Sequence, residues 1–137
     1  MWQWYAAGAM ACFAVMQLLF KQLTRLGMAP PALLCYVFLI GSLFFLLHLA
    51  ALRTIPAPLT GATAWLLLLT AALGYVGNIC AVRALAAAPN AGYSTAIVGL
   101  QALLVTLGAI VFFGAAVSVG KLAGVVLCVA GVVLLVT

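Results

Sequence analysis

The side chains able to do polar chemistry are few, and their types exclude more than they offer. The sequence of 137 residues has five Lys or Arg, one His and no Asp or Glu, for a formal net charge of +5. Without side-chain carboxylates, paired-acid hydrolysis, acid-based metal sites and acidic proton relays are excluded. His48 is the one side chain whose ordinary pKa lies near neutrality. It falls about one turn before Arg53, where an interfacial role is expected rather than proton coupling. Cys12, Cys35, Cys80 and Cys128 stand singly, without the close spacing of metal sites or redox pairs. They read as small lipophilic packing residues. No nucleophile and base can be paired by spacing, so neither an enzyme, a catalytic residue, a metal nor a cofactor is expected.

What remains is hydrogen bonding by neutral groups placed deep in apolar stretches. A polar residue in lipid carries a free-energy cost and so tends to face the bundle interior or a cavity. Phe13, Gln17 and Lys21 recur every four residues and share one helical face. Gly74 and Tyr75 stand four and three residues before Asn78, a polar stripe beside a gap. Ser94, Gln101 and Gly108 recur every seven residues along a fourth stretch. The amides of Gln17, Asn78 and Gln101 can bond a neutral or anionic solute without net charge. Gln17 also suits a hydrogen bond to a neighbouring helix, worth about 1 kcal/mol, and Lys21 and Arg83 also suit anchoring at headgroups. The candidate solute contacts are therefore Gln17, Lys21, Tyr75, Asn78, Ser94 and Gln101. Separately, Gly120, Gly124, Cys128 and Gly131 put small side chains on one face at spacings of four, four and three. Such a face lets helices approach closely, either within the chain or onto another copy.

The elements that must position these residues are membrane helices. Hydrophobic residues make up 70% of the chain and the mean hydropathy is +1.45, far above the balance of soluble domains. Stretches of about 20 apolar residues, the length needed to cross the hydrocarbon, occur five times, at about 2–20, 31–52, 62–82, 92–113 and 120–137. The expected fold is an all-α bundle of five transmembrane helices in a single domain, 1–137. "KQLTRLG", "APP", "TIPAP", "APNAG" and "GAAVSVG" punctuate it. Trp2, Trp4, Tyr5, Tyr36, Trp65 and Tyr93 fall near span ends, as an aromatic belt requires. "MWQWYAAGAM" lacks a basic leader, so the first span is expected to stay, and "AMAC" at Cys12 is a weak match to a lipidation site. Five crossings place Lys21, Arg25 and Arg83 on one face, and Arg53 and Lys121 with the N-terminus on the other. Three against two is a slight bias toward an outside N-terminus, and insertion both ways is open to the chain.

"WYAAGAMACFAVMQLLFKQL", "PPALLCYVFLIGSLFFLLHLA", "ALGYVGNICAVRALAAAPNAGYSTAIVGLQALLVTLGAIVFFG" and "KLAGVVLCVAGVVLLV", in this order, resemble one EamA-type half of the drug/metabolite transporter superfamily. The resemblance implies half of a ten-span inverted-repeat transporter that moves small organic solutes by alternating access, with its cavity between spans one, three and four. The four-span small multidrug resistance relatives form antiparallel dimers, and their last helix resembles "GVVLCVAGVV". Their first-span glutamate falls near Phe13 here and their cation-holding tryptophan near Ile97. The Gly-Glu that often closes span four reads Gly114-Ala115. The resemblance thus carries architecture and cavity location, not a proton-coupling mechanism. It implies transport of a neutral or weakly anionic organic solute or lipid-linked metabolite by an antiparallel homodimer in a bacterial inner (plasma) membrane. The expected partners are lipid, solute and a second copy, with no nucleic acid. The alternatives are a regulatory or assembly subunit that does not transport, or one half of a heteromeric flippase.

The span count has a direct check. With the native cysteines replaced, single cysteines at Gly27, Pro58, Asn90 and Ala116 should all react with water-soluble reagents. Protection at Gly27 or Pro58 would remove the five-span arrangement.

Overall fold

Lipid offers backbone N–H and C=O groups no partner, so a chain this apolar must satisfy them within helices. The computed structural model describes residues 1–53, 60–114 and 118–136, the side chains of Trp2, Lys121 and Val136 apart. The described residues are helical, with no strand: α1 Trp2–Arg25, α2 Pro30–Ala51, α3 Gly61–Ala87, α4 Ala91–Gly99, α5 Gln101–Phe113 and α6 Val119–Val136. Among them, α1, α2, α3 and the run Ala91–Phe113 that joins α4 to α5 are long and apolar enough to cross a membrane. The protein is thus a helical membrane protein. With 18 residues, α6 rises about 27 Å, close to the roughly 30 Å hydrocarbon thickness, and its apolar part, Leu122–Leu135, is shorter.

Helix ends follow from local chemistry. Lys21, Gln22 and Arg25 are good helix formers, so α1 continues a turn past the apolar boundary at Phe20. It then stops in a Schellman motif, with Met28 N–H bonded to the Leu23 carbonyl and Gly27 N–H to that of Thr24, both at 3.1 Å. Gly27 sits at φ +90, a region that side-chain-bearing residues rarely adopt. Pro30 and Pro31 open α2, where a missing N–H costs nothing. Thr60 and Thr63 cap α3 reciprocally: Thr60 N–H donates to Thr63 Oγ1 at 2.9 Å, and Thr63 N–H to Thr60 Oγ1 at 3.4 Å. A hydroxyl here does the work of the usual glutamate in a capping box. At its other end, α3 runs a turn beyond Arg83 to Ala87, just short of Pro89. Asn90 then starts α4, its Oδ1 accepting from Gly92 N–H at 2.8 Å.

The stretch read from sequence as one span, 92–113, is interrupted. After Gly99, the Leu100 N–H bonds to the Ile97 carbonyl and the Leu103 N–H to that of Leu100, at 3.1 and 2.9 Å. These i to i+3 bonds make one tight 3₁₀-like turn between α4 and α5. A strict seven-residue phase from Ser94 to Gln101 assumes an unbroken α-helix, and the turn alters it.

Residues Met1–Ala86 make one compact unit and Ala87–Thr137 a second. In the first, α1 packs against α2. Its buried side chains are Phe20, Leu33, Leu34, Val82 and Leu85, from the end of α1, the start of α2 and the end of α3. The core of this unit thus lies at one end of its helices. In the second unit α4 packs against α6, and Ser94 is buried. The turn at Pro58, the link at Ala115 and Ala116, Thr137, and the side chains of Trp2 and Lys121 lie outside what is described.

Two glycines in α1 and its cap should separate conformation from packing. Gly27→Ala should lower stability by about 1 kcal/mol in thermal or denaturant unfolding in micelles. At Gly8, a mid-helix position with nothing within 4 Å of an added Cβ, alanine should be neutral or stabilise by up to about 1 kcal/mol.

Candidate functional site

The last carbonyls of a helix have no partner within it and carry the negative end of its dipole, so they attract cations. The end of α3 meets one from α1. Lys21 Nζ donates to the Leu85 carbonyl at 2.8 Å and to the Ala86 carbonyl at 3.0 Å. In a chain with no Asp or Glu, backbone oxygen takes the place a carboxylate would hold elsewhere. The bond ties the last turn of α1 to the last turn of α3. From sequence, Lys21 reads as a headgroup anchor or a solute contact. Its bonds to α3 are a third role that no residue type could signal.

Gln17 lies one turn before Lys21 on the same face and is half-buried. Among the described residues its amide has no hydrogen-bond partner. Asn78 is also half-buried, and its Nδ2 donates to the Gly74 carbonyl one turn back, at 2.7 Å. That bond uses one of two N–H donors and leaves the amide oxygen available. Neither Gly74 nor Gly77 has an atom within 4 Å of an added Cβ, so open space adjoins the amide. Tyr75 is 67% exposed. Measured from the Lys21–Leu85 level at about 1.5 Å per residue, Gln17 lies about 6 Å and Asn78 about 10 Å deeper. Within the first unit, two amides with unspent hydrogen-bonding capacity therefore occupy neighbouring depths below the bonded end.

The second unit holds the other candidates in different settings. Ser94 is 7% exposed and its Oγ donates to the Ala91 carbonyl at 3.1 Å. Gln101, first residue after the tight turn, is exposed. On α6, Gly120, Gly124 and Gly131 have nothing within 4 Å of an added Cβ, and Cys128 is exposed. The small-residue face is open in the isolated chain. Arg25, Arg53, Arg83 and His48 are exposed at or near the C-terminal ends of their helices.

This arrangement can hydrogen-bond an uncharged or weakly anionic group below a cationic end. The model of the EamA-like transporter family matches residues 1–137. No curated protein and no solved structure matches the chain.

Proposed function

The chain belongs to the EamA-like transporter family and is thus an integral membrane protein of the drug/metabolite transporter type; from that premise we propose that it carries a neutral or weakly anionic organic solute by alternating access. The observation that supports this most is two half-buried amides, Gln17 on α1 and Asn78 on α3, the latter on the helix whose Gly74 and Gly77 leave open space. An amide kept in lipid only as helix glue would spend its bonds on a neighbouring helix. Asn78 instead bonds within its own helix, and Gln17 bonds no described residue. Amides also discriminate by hydrogen bonding without attracting every cation or anion, which suits a solute with little net charge.

In this reading Gln17, Tyr75 and Asn78 contact the solute, Ser94 and Gln101 are the polar positions of the second unit, and Lys21 supplies the nearest positive charge. The chain carries one EamA unit, and its partner is an oppositely inserted second copy in a bacterial inner membrane. Support for that pairing comes from the near balance of cations on the two faces and the open face of Gly120, Gly124, Cys128 and Gly131. A two-fold arrangement uses the same patch on both copies, and opposed repeats suit alternating access.

The amides are tested by apolar replacement. In vesicles loaded from a metabolite panel, Gln17→Leu and Gln101→Leu should each slow uptake of the accepted solute about tenfold or more while remaining folded. Normal transport by both variants would make these amides helix glue.

A further inference from the structure

Alternating access needs one end of the carrier closed while the other is open, and the first unit has such an asymmetry. Phe20, Leu33, Leu34, Val82 and Leu85 are all buried at the end where α1 and α3 finish and α2 begins. At the opposite ends of the same helices, Trp4 is 82%, Phe45 77% and Trp65 65% exposed. Carriers commonly close such an end with salt bridges, which a chain without Asp or Glu cannot form. A side-chain bond between helices of this unit runs from Lys21 Nζ to the carbonyls of Leu85 and Ala86 at 2.8 and 3.0 Å.

We infer that Lys21 is the latch of a gate at this end: its bonds to the last turn of α3 hold the end shut, and their release opens it. The inference rests on the transport reading above. The bond is suited to the task because both partners lie near the interface, where water and headgroups can replace them, so breaking it strands neither in hydrocarbon. The ammonium lies one turn above Gln17 on the same face of α1. Once released, it is in reach of an anionic group on a solute bound at that amide. Solute and α3 carbonyls then compete for one cation. A solute can open the end only through such a difference in affinity between the two states.

The test uses the full chain, with Cys12, Cys35, Cys80 and Cys128 replaced by serine, in lipid nanodiscs. One cysteine is introduced at Val82, 2% exposed at the closed end, or at Ser94, 7% exposed in the second unit, and its reaction with a small maleimide is timed. The latch predicts that Val82→Cys reacts slowly in the Lys21 parent, whose bonds to α3 hold the end shut. Lys21→Met should speed Val82→Cys about tenfold, as loss of a charge-assisted bond implies, and leave Ser94→Cys unchanged, while Lys21→Arg should stay near the parent. Should Lys21→Met not fold, Lys21→Gln takes its place, with a neutral donor for the ammonium: it should speed Val82→Cys severalfold, and an unchanged rate would overturn the latch. An unchanged Val82→Cys rate in Lys21→Met, or an equal acceleration at both sites, would overturn it too. The two readings separate: lost transport with unchanged labelling makes Lys21 a solute ligand and removes only the latch. Accelerated labelling in a chain that carries no solute keeps the latch and removes the transport reading.

Discussion

A chain with five cations and no Asp or Glu side chain has backbone carbonyls as its main internal partners for positive charge. Helix C-termini provide them, unpaired and at the negative end of the dipole. The sequence places its basic residues accordingly: Arg25 and His48 occupy the last turns of α1 and α2, and Lys21 reaches the last turn of α3. The consequence is architectural. The Lys21 bond ties the end of α1 to the end of α3, and the buried side chains of the first unit gather at the same end. Lys21 and the core of the first unit thus meet at one place.

The same lack of acids shapes the function. With no Asp or Glu side chain, the proposed recognition rests on amides and hydroxyls. Gln17 and Asn78 sit below the bonded end with hydrogen-bonding capacity unspent, beside glycines that keep the backbone open. Recognition by neutral donors and acceptors fits an uncharged or weakly anionic solute.

How much of this was legible in the sequence depends on whether side chains carried the signal. The apolar runs and their Pro, Gly and Asn punctuation marked the helix ends to within five residues, and Asn90 and Pro30 mark their helix starts by type alone. The ends of α1 and α3 ran longer than hydropathy suggested, because Lys21, Arg25 and Arg83 are helix formers as well as charges. The tight turn at Leu100 had a faint signal in Gly99, which a continuous apolar run outweighed. The partner of Lys21 had none, since a backbone carbonyl belongs to every residue. Seven-residue spacing from Ser94 to Gln101 suggested one lining face, yet the intervening turn leaves Ser94 buried and Gln101 exposed.

The open small-residue face and the almost balanced charge are what support the proposed pairing with a copy inserted the other way. The most direct measurement is the sidedness of the α1 end. In the full chain with native cysteines replaced, a single cysteine at Leu26, 73% exposed, is treated with a membrane-impermeant maleimide in sealed vesicles, before and after permeabilisation. The account predicts that about half the chains react before permeabilisation and the rest after it. Reaction of nearly all chains, or of almost none, before permeabilisation would contradict it.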